Sequence, residues 1–158
     1  MDARTEFTEA VKLITDRIAG RPIDADLQAF LNESFPPGGE AFDDLATLCR
    51  QGIDEGWLCD REHGGIRFGR IVKPGTETHG FSVDVVLIDD IVGPRHAHPN
   101  GEIDMIIPES PNAKFDGQGQ GWMVYDPGSV HSPTVTGGKA IVLYLLPDGE
   151  IDFSPMTA

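Results

Sequence analysis

Cysteine and basic residues are both scarce in this chain. The two cysteines of the 158 residues, Cys49 and Cys59, are too few for a disulfide framework and too far apart for a CxxC metal site. We expect them to be small buried side chains of a cytoplasmic protein. Lys and Arg total 12 against 26 Asp and Glu, a net charge of −14. This charge argues against nucleic acid or a membrane surface as the partner, and no run approaches the ~20 apolar residues of a membrane span.

The first third of the chain has helical periodicity. Apolar residues recur three or four positions apart in three stretches, which are separated by breakers at Gly20, Pro22 and residues 36–39. Asp24 is placed to cap the second helix, and Gly56 ends the third. We therefore expect residues 1–58 to form a segment of about three helices that packs on the rest of the chain.

The periodicity changes after Trp57. Short runs rich in Val, Ile, Thr and aromatic residues alternate with clusters of Gly, Pro, Asn and Asp. The predicted strands cover residues 66–72, 82–89, 102–108, 121–125 and 139–146. Strands at near-regular spacing without intervening helices indicate an antiparallel sandwich or barrel over residues 59–158, within one structural domain overall.

Three of the five histidines fall in two short segments of the β region. His96 and His98 in GPRHAHPNGE are two residues apart, so both rings lie on one face of an extended strand. The turn formers PNG bring Glu102 back towards them, and the segment DPGSVH presents His131 from another strand. Three imidazoles and one carboxylate form a suitable site for a divalent transition metal.

These segments resemble the two motifs of the cupin superfamily. HAHPNGE gives HxHx3E in full, and GWMVYDPGSVH gives most of the second motif. The second motif is one residue short, because Pro127 and Gly128 are adjacent, and Val135 stands at the position of its Asn. The resemblance implies a mainly β fold, a cupin-type double-stranded antiparallel β-barrel or jelly roll, and a homodimer.

Other polar residues are candidates for the same pocket. Asp104 shares the face of Glu102 on its strand and is a candidate general base or ligand-orienting group. Tyr125 is a candidate proton donor, and Arg70 is a candidate clamp for a substrate carboxylate. Arg95 alternates to the face opposite His96 and suits that role less well. The two remaining histidines, His63 and His79, are expected at the surface, with the pocket rim as the alternative for His79.

The whole chain is similar to the 4-hydroxylaminobenzoate lyase family. The similarity is carried by RPIDADLQAFLNESF, GIDEGWLC, HPNGEIDMIIP and the stretch from GQGWMVYDPGSVH to LLPDGEI. It implies that the protein converts 4-hydroxylaminobenzoate and water to protocatechuate (3,4-dihydroxybenzoate) and ammonia, in nitroaromatic degradation. The implied cofactor is a divalent transition metal (Fe, Mn, Zn, Ni or Co), and the implied partner is a small aromatic carboxylate. The alternatives are a metal-dependent dioxygenase or isomerase and a non-catalytic cupin that binds a small ligand.

Overall fold

The computed structural model describes residues 1–157, with side chains through residue 155, and in that range shows three α-helices followed by ten strands. The helices are α1 (Ala3–Ile18), α2 (Ala25–Ser34) and α3 (Glu40–Glu55). The strands are β1 (Arg61–His63), β2 (Ile66–Val72), β3 (Phe81–Asp89), β4 (His96–His98), β5 (Glu102–Pro108), β6 (Lys114–Phe115), β7 (Gly121–Tyr125), β8 (Ser129–His131), β9 (Val135–Thr136) and β10 (Lys139–Pro147). Short 3-10 helices span Thr76–Thr78 and Ser154–Thr157.

Local sequence signals set the ends of the helices. The carboxylate of Asp2 accepts the Thr5 N–H at 2.8 Å, and that of Asp24 accepts the Leu27 N–H at 3.0 Å. Each therefore satisfies one of the amide groups that the first turn of a helix leaves without a partner. Gly56 ends α3 in the left-handed conformation, with φ 86°. The predicted cap at Asp24 and the predicted end at Gly56 are confirmed.

A six-stranded antiparallel sheet forms one layer of the β region, in the order β1-β2-β3-β10-β5-β7. Two antiparallel ribbons, β4-β8 and β6-β9, form the other layer. Phe115 and Val135 of the β6-β9 ribbon are buried in one apolar cluster with Val86, Ile106 and Val142 of the sheet. The result is the cupin-type antiparallel architecture that the sequence predicts.

The helices cover the opposite face of the sheet. Phe7, Leu31 and Phe42 of the three helices share one buried cluster with Val83 and Ile103 of the sheet. Because helices and strands bury their apolar faces against each other, they form one continuous core. Among residues 1–157, no helix is long and apolar enough to cross a membrane.

Helix α2 covers the edge strand β7. The side-chain amide of Asn32 donates to the Trp122 carbonyl at 3.0 Å and accepts the Trp122 N–H at 2.9 Å. Gln28 accepts the Val124 N–H at 2.8 Å in the same way. These contacts pair backbone groups that an edge strand otherwise exposes. Cys49 and Cys59 are both free and buried, as predicted.

Candidate metal centre

Strands β4 and β8 bring the three histidines together. His96 and His98 stand at the two ends of the three-residue strand β4 and are both buried, whereas Ala97 between them points the other way. His131, the last residue of β8, lies directly opposite His96 in the antiparallel ribbon. Two short motifs, distant in sequence, are thus joined by ordinary strand pairing.

The turn before β5 carries the carboxylate into the same place. Gly101 has φ +90°, and its N–H bonds to the His98 carbonyl at 3.2 Å. A Cβ atom here would lie 2.6 Å from the Ile23 side chain and 2.9 Å from the Tyr125 carbonyl oxygen. Glycine is therefore required both by the backbone conformation and by the close approach of its neighbours. The next residue, Glu102, opens β5 with its side chain facing the histidines.

The four side chains converge on a single point. One carboxylate oxygen of Glu102 lies 3.3 Å from His98 Nε2 and 3.5 Å from His96 Nε2, and the other lies 3.5 Å from His131 Nε2. The Nε2 atoms of His96 and His131 are 3.1 Å apart. One ligand atom from each of the four residues lies within 4.8 Å of all the others. This spacing suits one central cation that binds four ligands.

Buried polar atoms without partners mark the same point. His98 Nε2 and both carboxylate oxygens of Glu102 are inaccessible to water and have no hydrogen-bond partner among the described residues. Leaving such groups unpaired costs free energy, so a buried site normally satisfies them. A divalent cation bound to all four residues satisfies these atoms at once. The residues present therefore fit a metal ion, and imidazole with carboxylate suits several first-row metals.

The outer nitrogen of each imidazole is already held by a protein group. The three Nδ1 contacts are His96 to the Pro94 carbonyl at 3.2 Å, His98 to the Ser129 hydroxyl at 2.8 Å, and His131 to an Asp116 carboxylate oxygen at 2.6 Å. These contacts orient the rings so that every Nε2 faces the centre. Such outer contacts fix the orientation of a metal-ligating imidazole and tune its basicity.

Asp116 organises the side of the centre at His131. Besides His131, its carboxylate accepts a very short hydrogen bond from the Tyr125 hydroxyl and a 2.8 Å bond from the Thr134 N–H. Burial alone lowers the pKa of His131, but the contacts with Asp116 and Glu102 outweigh it and raise that pKa to about 9. The same hydrogen bonds hold the pKa of Asp116 below its usual range, against the effect of burial. Asp116 was not among the residues predicted from the sequence, since only its place in the turn segment KFDGQG marks it.

Asp104 lies beside this centre, fully buried and on the same face of β5 as Glu102. Both of its carboxylate oxygens lack a hydrogen-bond partner among the described residues. Burial and the neighbouring charge of Glu102 raise the pKa of Asp104 well above its usual range. For Glu102, burial acts in the same direction, but contacts with His131, His96 and His98 lower its pKa well below the usual range. The pair thus combines a neutral acid with an ionised carboxylate.

An apolar cavity of about 390 Å³ adjoins the centre. His96 and Pro94 line it beside the centre, and Arg70, Asp84 and Tyr144 line it from the inner face of the sheet. The remaining lining is mostly aliphatic and aromatic: Ile66, Phe68, Val86, Ile88, Pro133, Leu146, Ile151 and Phe153, with Gly69 and His63. A concave apolar pocket with a few convergent polar groups is typical of a small-molecule site.

Arg70 lines this cavity while paired to neighbouring groups. Its Nε donates to the Asp84 carboxylate at 3.1 and 3.3 Å, and its Nη2 donates to the Gly149 carbonyl at 3.1 Å. Its Nη1 has no hydrogen-bond partner among the described residues. Burial raises the pKa of Asp84, and the hydrogen bond from Arg70 opposes that rise.

The other predicted candidates, Tyr125, His63 and His79, lie in three different environments. Tyr125 packs against His131, with ring centroids 4.3 Å apart and the rings tilted by 46°, and its hydroxyl donates to Asp116. His63 is exposed, as expected, at the rim of the cavity. His79 pairs with Asp16 of α1 at 2.7 Å and is absent from the cavity lining.

These features define a cupin-type protein with a buried three-histidine, one-glutamate cluster suited to binding a metal ion. Residues 9–153 match the family model of PnbB, 4-hydroxylaminobenzoate lyase. The chain belongs to the 4-hydroxylaminobenzoate lyase family.

Two relatives in sequence agree with this assignment. A protein of Nocardioides sp. (strain LMS-CY) named 4-hydroxylaminobenzoate lyase is 35% identical, over 97% of this chain and 92% of its own length. A Pseudomonas putida protein of the same name is 32% identical, over 87% of this chain and 88% of its own length. Among solved structures, an oxalate oxidase in complex with glycolate matches with a TM-score of 0.46 and 22% identity, over 61% of this chain and 58% of that one.

Proposed function

We propose that this protein converts 4-hydroxylaminobenzoate and water to protocatechuate and ammonia. The observation that carries the proposal is the position of the cluster of His96, His98, Glu102 and His131 beside an apolar cavity that also presents an arginine. The names of the relatives support the choice of substrate. The overall conversion is redox-neutral, because the N–O bond is reduced while the ring is oxidised and water supplies the second oxygen. It therefore requires no nicotinamide or flavin.

The four clustered residues would hold a divalent transition metal, one of Fe, Mn, Zn, Ni or Co. When bound, such an ion supplies Lewis-acid polarisation of the hydroxylamine and of water. The protein prepares the site in advance, since Pro94, Ser129 and Asp116 orient the three rings. The low pKa of Glu102 keeps that carboxylate ionised and ready to bind a cation.

Arg70 binds the substrate carboxylate in this proposal. Its unpaired Nη1 supplies donors for an anion, while Asp84 and Gly149 hold the rest of the guanidinium in place. The chain as a whole carries a charge of −14, which repels an anionic substrate. Because Arg70 is partly exposed and already paired with Asp84, its attraction for the carboxylate comes from the charge-assisted hydrogen bonds that Nη1 can donate rather than from a net local charge.

Asp104 and Tyr125 move protons in this proposal. The raised pKa of Asp104 leaves a neutral acid beside the ionised Glu102, which suits donation to a departing nitrogen. Burial and the hydrogen bond to Asp116 hold the pKa of Tyr125 above its usual value, so its hydroxyl stays protonated and donates to Asp116. The mostly aliphatic and aromatic lining of the cavity suits the apolar ring of the substrate.

The test is a product assay with purified protein reconstituted with each of the five metals. We expect equal amounts of ammonia and protocatechuate from 4-hydroxylaminobenzoate, without oxygen consumption. Oxygen uptake coupled to turnover would instead indicate a dioxygenase, and tight ligand binding without product would indicate a non-catalytic cupin. The homodimer implied by the cupin resemblance is a separate prediction, which light scattering after size exclusion tests.

A further inference from the structure

Four polar side chains lie in one row across the inner face of the main sheet. Arg70 on β2 lies directly opposite Asp84 on β3, and Asp84 lies opposite Tyr144 on β10. Tyr144 in turn lies opposite Asp104 on β5. Residues directly opposite in neighbouring strands share a face, so the row runs from the candidate carboxylate clamp to the side of the metal centre.

One of the two adjacent rows on the same face is wholly apolar, whereas the other contains Ser82, opposite Leu146. Val86, Val142 and Ile106 occupy the apolar row on β3, β10 and β5, and all three are buried. Polar residues on an inner sheet face cost desolvation unless they find partners. Arg70 and Asp84 satisfy this requirement with each other, but Tyr144 does not take part in their contacts.

Tyr144 is a buried phenol without a hydrogen bond. The residue is only 6% exposed, yet it lines the cavity together with Arg70 and His96. Its hydroxyl has no hydrogen-bond partner among the described residues, and its ring packs 6.4 Å from that of Phe115. Buried tyrosine hydroxyls usually find a partner, so this one is available to a ligand in the cavity.

The spacing along the row matches a ligand with polar groups at both ends. Arg70 and Tyr144 lie two strands apart, which places their Cα atoms roughly 10 Å from each other. Both side chains reach the same cavity, and apolar side chains line the space beside them. A para-substituted benzoate has this pattern, with a carboxylate and a second polar group on opposite sides of an apolar ring.

We propose that Tyr144 determines substrate specificity by donating a hydrogen bond to the polar para substituent of a benzoate whose carboxylate is held by Arg70. This inference rests on the proposed function and deepens it, since it assigns the orientation of the ring and selects para-substituted benzoates. No chemical step is assigned to Tyr144. Its hydroxyl holds the para group next to His96, where the metal centre begins.

The test compares two ligands that the protein does not turn over, benzoate and 4-hydroxybenzoate. Their affinities are measured by calorimetry on zinc-loaded protein, for the unaltered chain and for Tyr144→Phe. We expect Tyr144→Phe to weaken 4-hydroxybenzoate binding by about 5- to 10-fold, the effect of one neutral hydrogen bond, and benzoate binding by less than 2-fold. Because the two ligands are compared within each variant, a general loosening of the cavity weakens both and leaves the ratio of their affinities unchanged.

One further variant sharpens the comparison. Arg70→Met should weaken both ligands by the same factor, because both carry the carboxylate. An unchanged affinity ratio in Tyr144→Phe would overturn the role of Tyr144 while leaving the product assay, and with it the proposed function, unaffected. If the unaltered protein bound neither ligand, both the role of Tyr144 and the substrate class would be wrong.

Discussion

The Nδ1 atom of His131 lies 2.6 Å from a carboxylate oxygen of Asp116, a residue 15 positions earlier in the chain. This contact fixes the ring so that Nε2 faces Glu102 and His96. Against the effect of burial, this contact and the neighbouring Glu102 together raise the pKa of His131 to about 9. Through this pair, a turn residue with no place in either histidine motif controls one of the four candidate ligands.

Replacing Asp116 should therefore weaken metal binding without removing a ligand. We expect Asp116→Asn to lower the affinity for Zn(II) by about 10- to 100-fold, since outer contacts of this kind orient the imidazole and raise its basicity. Competition with a chromophoric chelator measures the affinity. The matched control is Asp54→Asn at an exposed position of α3, which should leave the affinity for Zn(II) unchanged. Equal affinities in the two variants would contradict the role of Asp116.

Metal binding should depend on pH through the same pair. Below about pH 9 His131 is protonated in the metal-free protein, so a cation must displace that proton. The apparent affinity should consequently rise with pH and level off near pH 9. Calorimetry in buffers of different ionisation enthalpy counts the proton released at neutral pH. Asp116→Asn lowers the pKa of His131, so this variant should release less of a proton when it binds metal. A metal affinity that does not change with pH in the unaltered protein would contradict the raised pKa of His131.

Arg70 should act on substrate binding rather than on the chemical step. Loss of a charge-assisted hydrogen bond is worth about 1.5 to 3 kcal/mol, so we expect Arg70→Met to raise KM by roughly 10- to 100-fold with little change in kcat. Arg67→Met on the same strand is the control, because Arg67 does not line the cavity. Steady-state rates of ammonia release give kcat and KM for both variants. A fall in kcat at unchanged KM would show that Arg70 does not hold the carboxylate.

The turn at Gly101 should be intolerant of any side chain. Gly101→Ala places a Cβ atom against Ile23 and the Tyr125 carbonyl at φ +90°, so strain and overpacking add. Gly20→Ala is a matched control at φ +76° with no atom within 4 Å of the added Cβ. We expect the free energy of unfolding, measured by chemical denaturation, to fall by about 1–2 kcal/mol in the control and by about 1–3 kcal/mol more in Gly101→Ala. Equal losses of unfolding free energy in the two variants would show that the close contacts at Gly101 do not destabilise Gly101→Ala.

The sequence predicts the local part of this architecture well. Strands β2, β5 and β7 have the predicted bounds, and β3 and β10 differ by one residue at one end, because alternating β-branched residues and turn formers mark them. The four candidate ligands can also be identified from the sequence, because HxHx3E and PGxxH are short local motifs. Strands β1, β6 and β9 have two or three residues each and were missed, because so short a run has no periodicity of its own.

The groups that surround the ligands could not be read in this way. Asp116 reaches His131 and Thr134 only through strand pairing, and Tyr144 meets the cavity only through the order β3-β10-β5 of the sheet. These relationships depend on which distant strands lie side by side, information that a single sequence does not contain locally. Arg70 could be chosen from the sequence because basic residues are few in this chain, whereas its pairing with Asp84 follows only from the register of β2 and β3.

The central claim is that one metal ion, bound by His96, His98, Glu102 and His131, is required for release of ammonia from 4-hydroxylaminobenzoate. The most direct measurement titrates metal-free protein with each candidate cation under anaerobic conditions and follows bound metal and ammonia together. The account predicts that ammonia release rises in proportion to bound metal, saturates at one ion per chain, and is lost with the metal in His98→Ala. Full activity of metal-free protein, or of His98→Ala without bound metal, would contradict it.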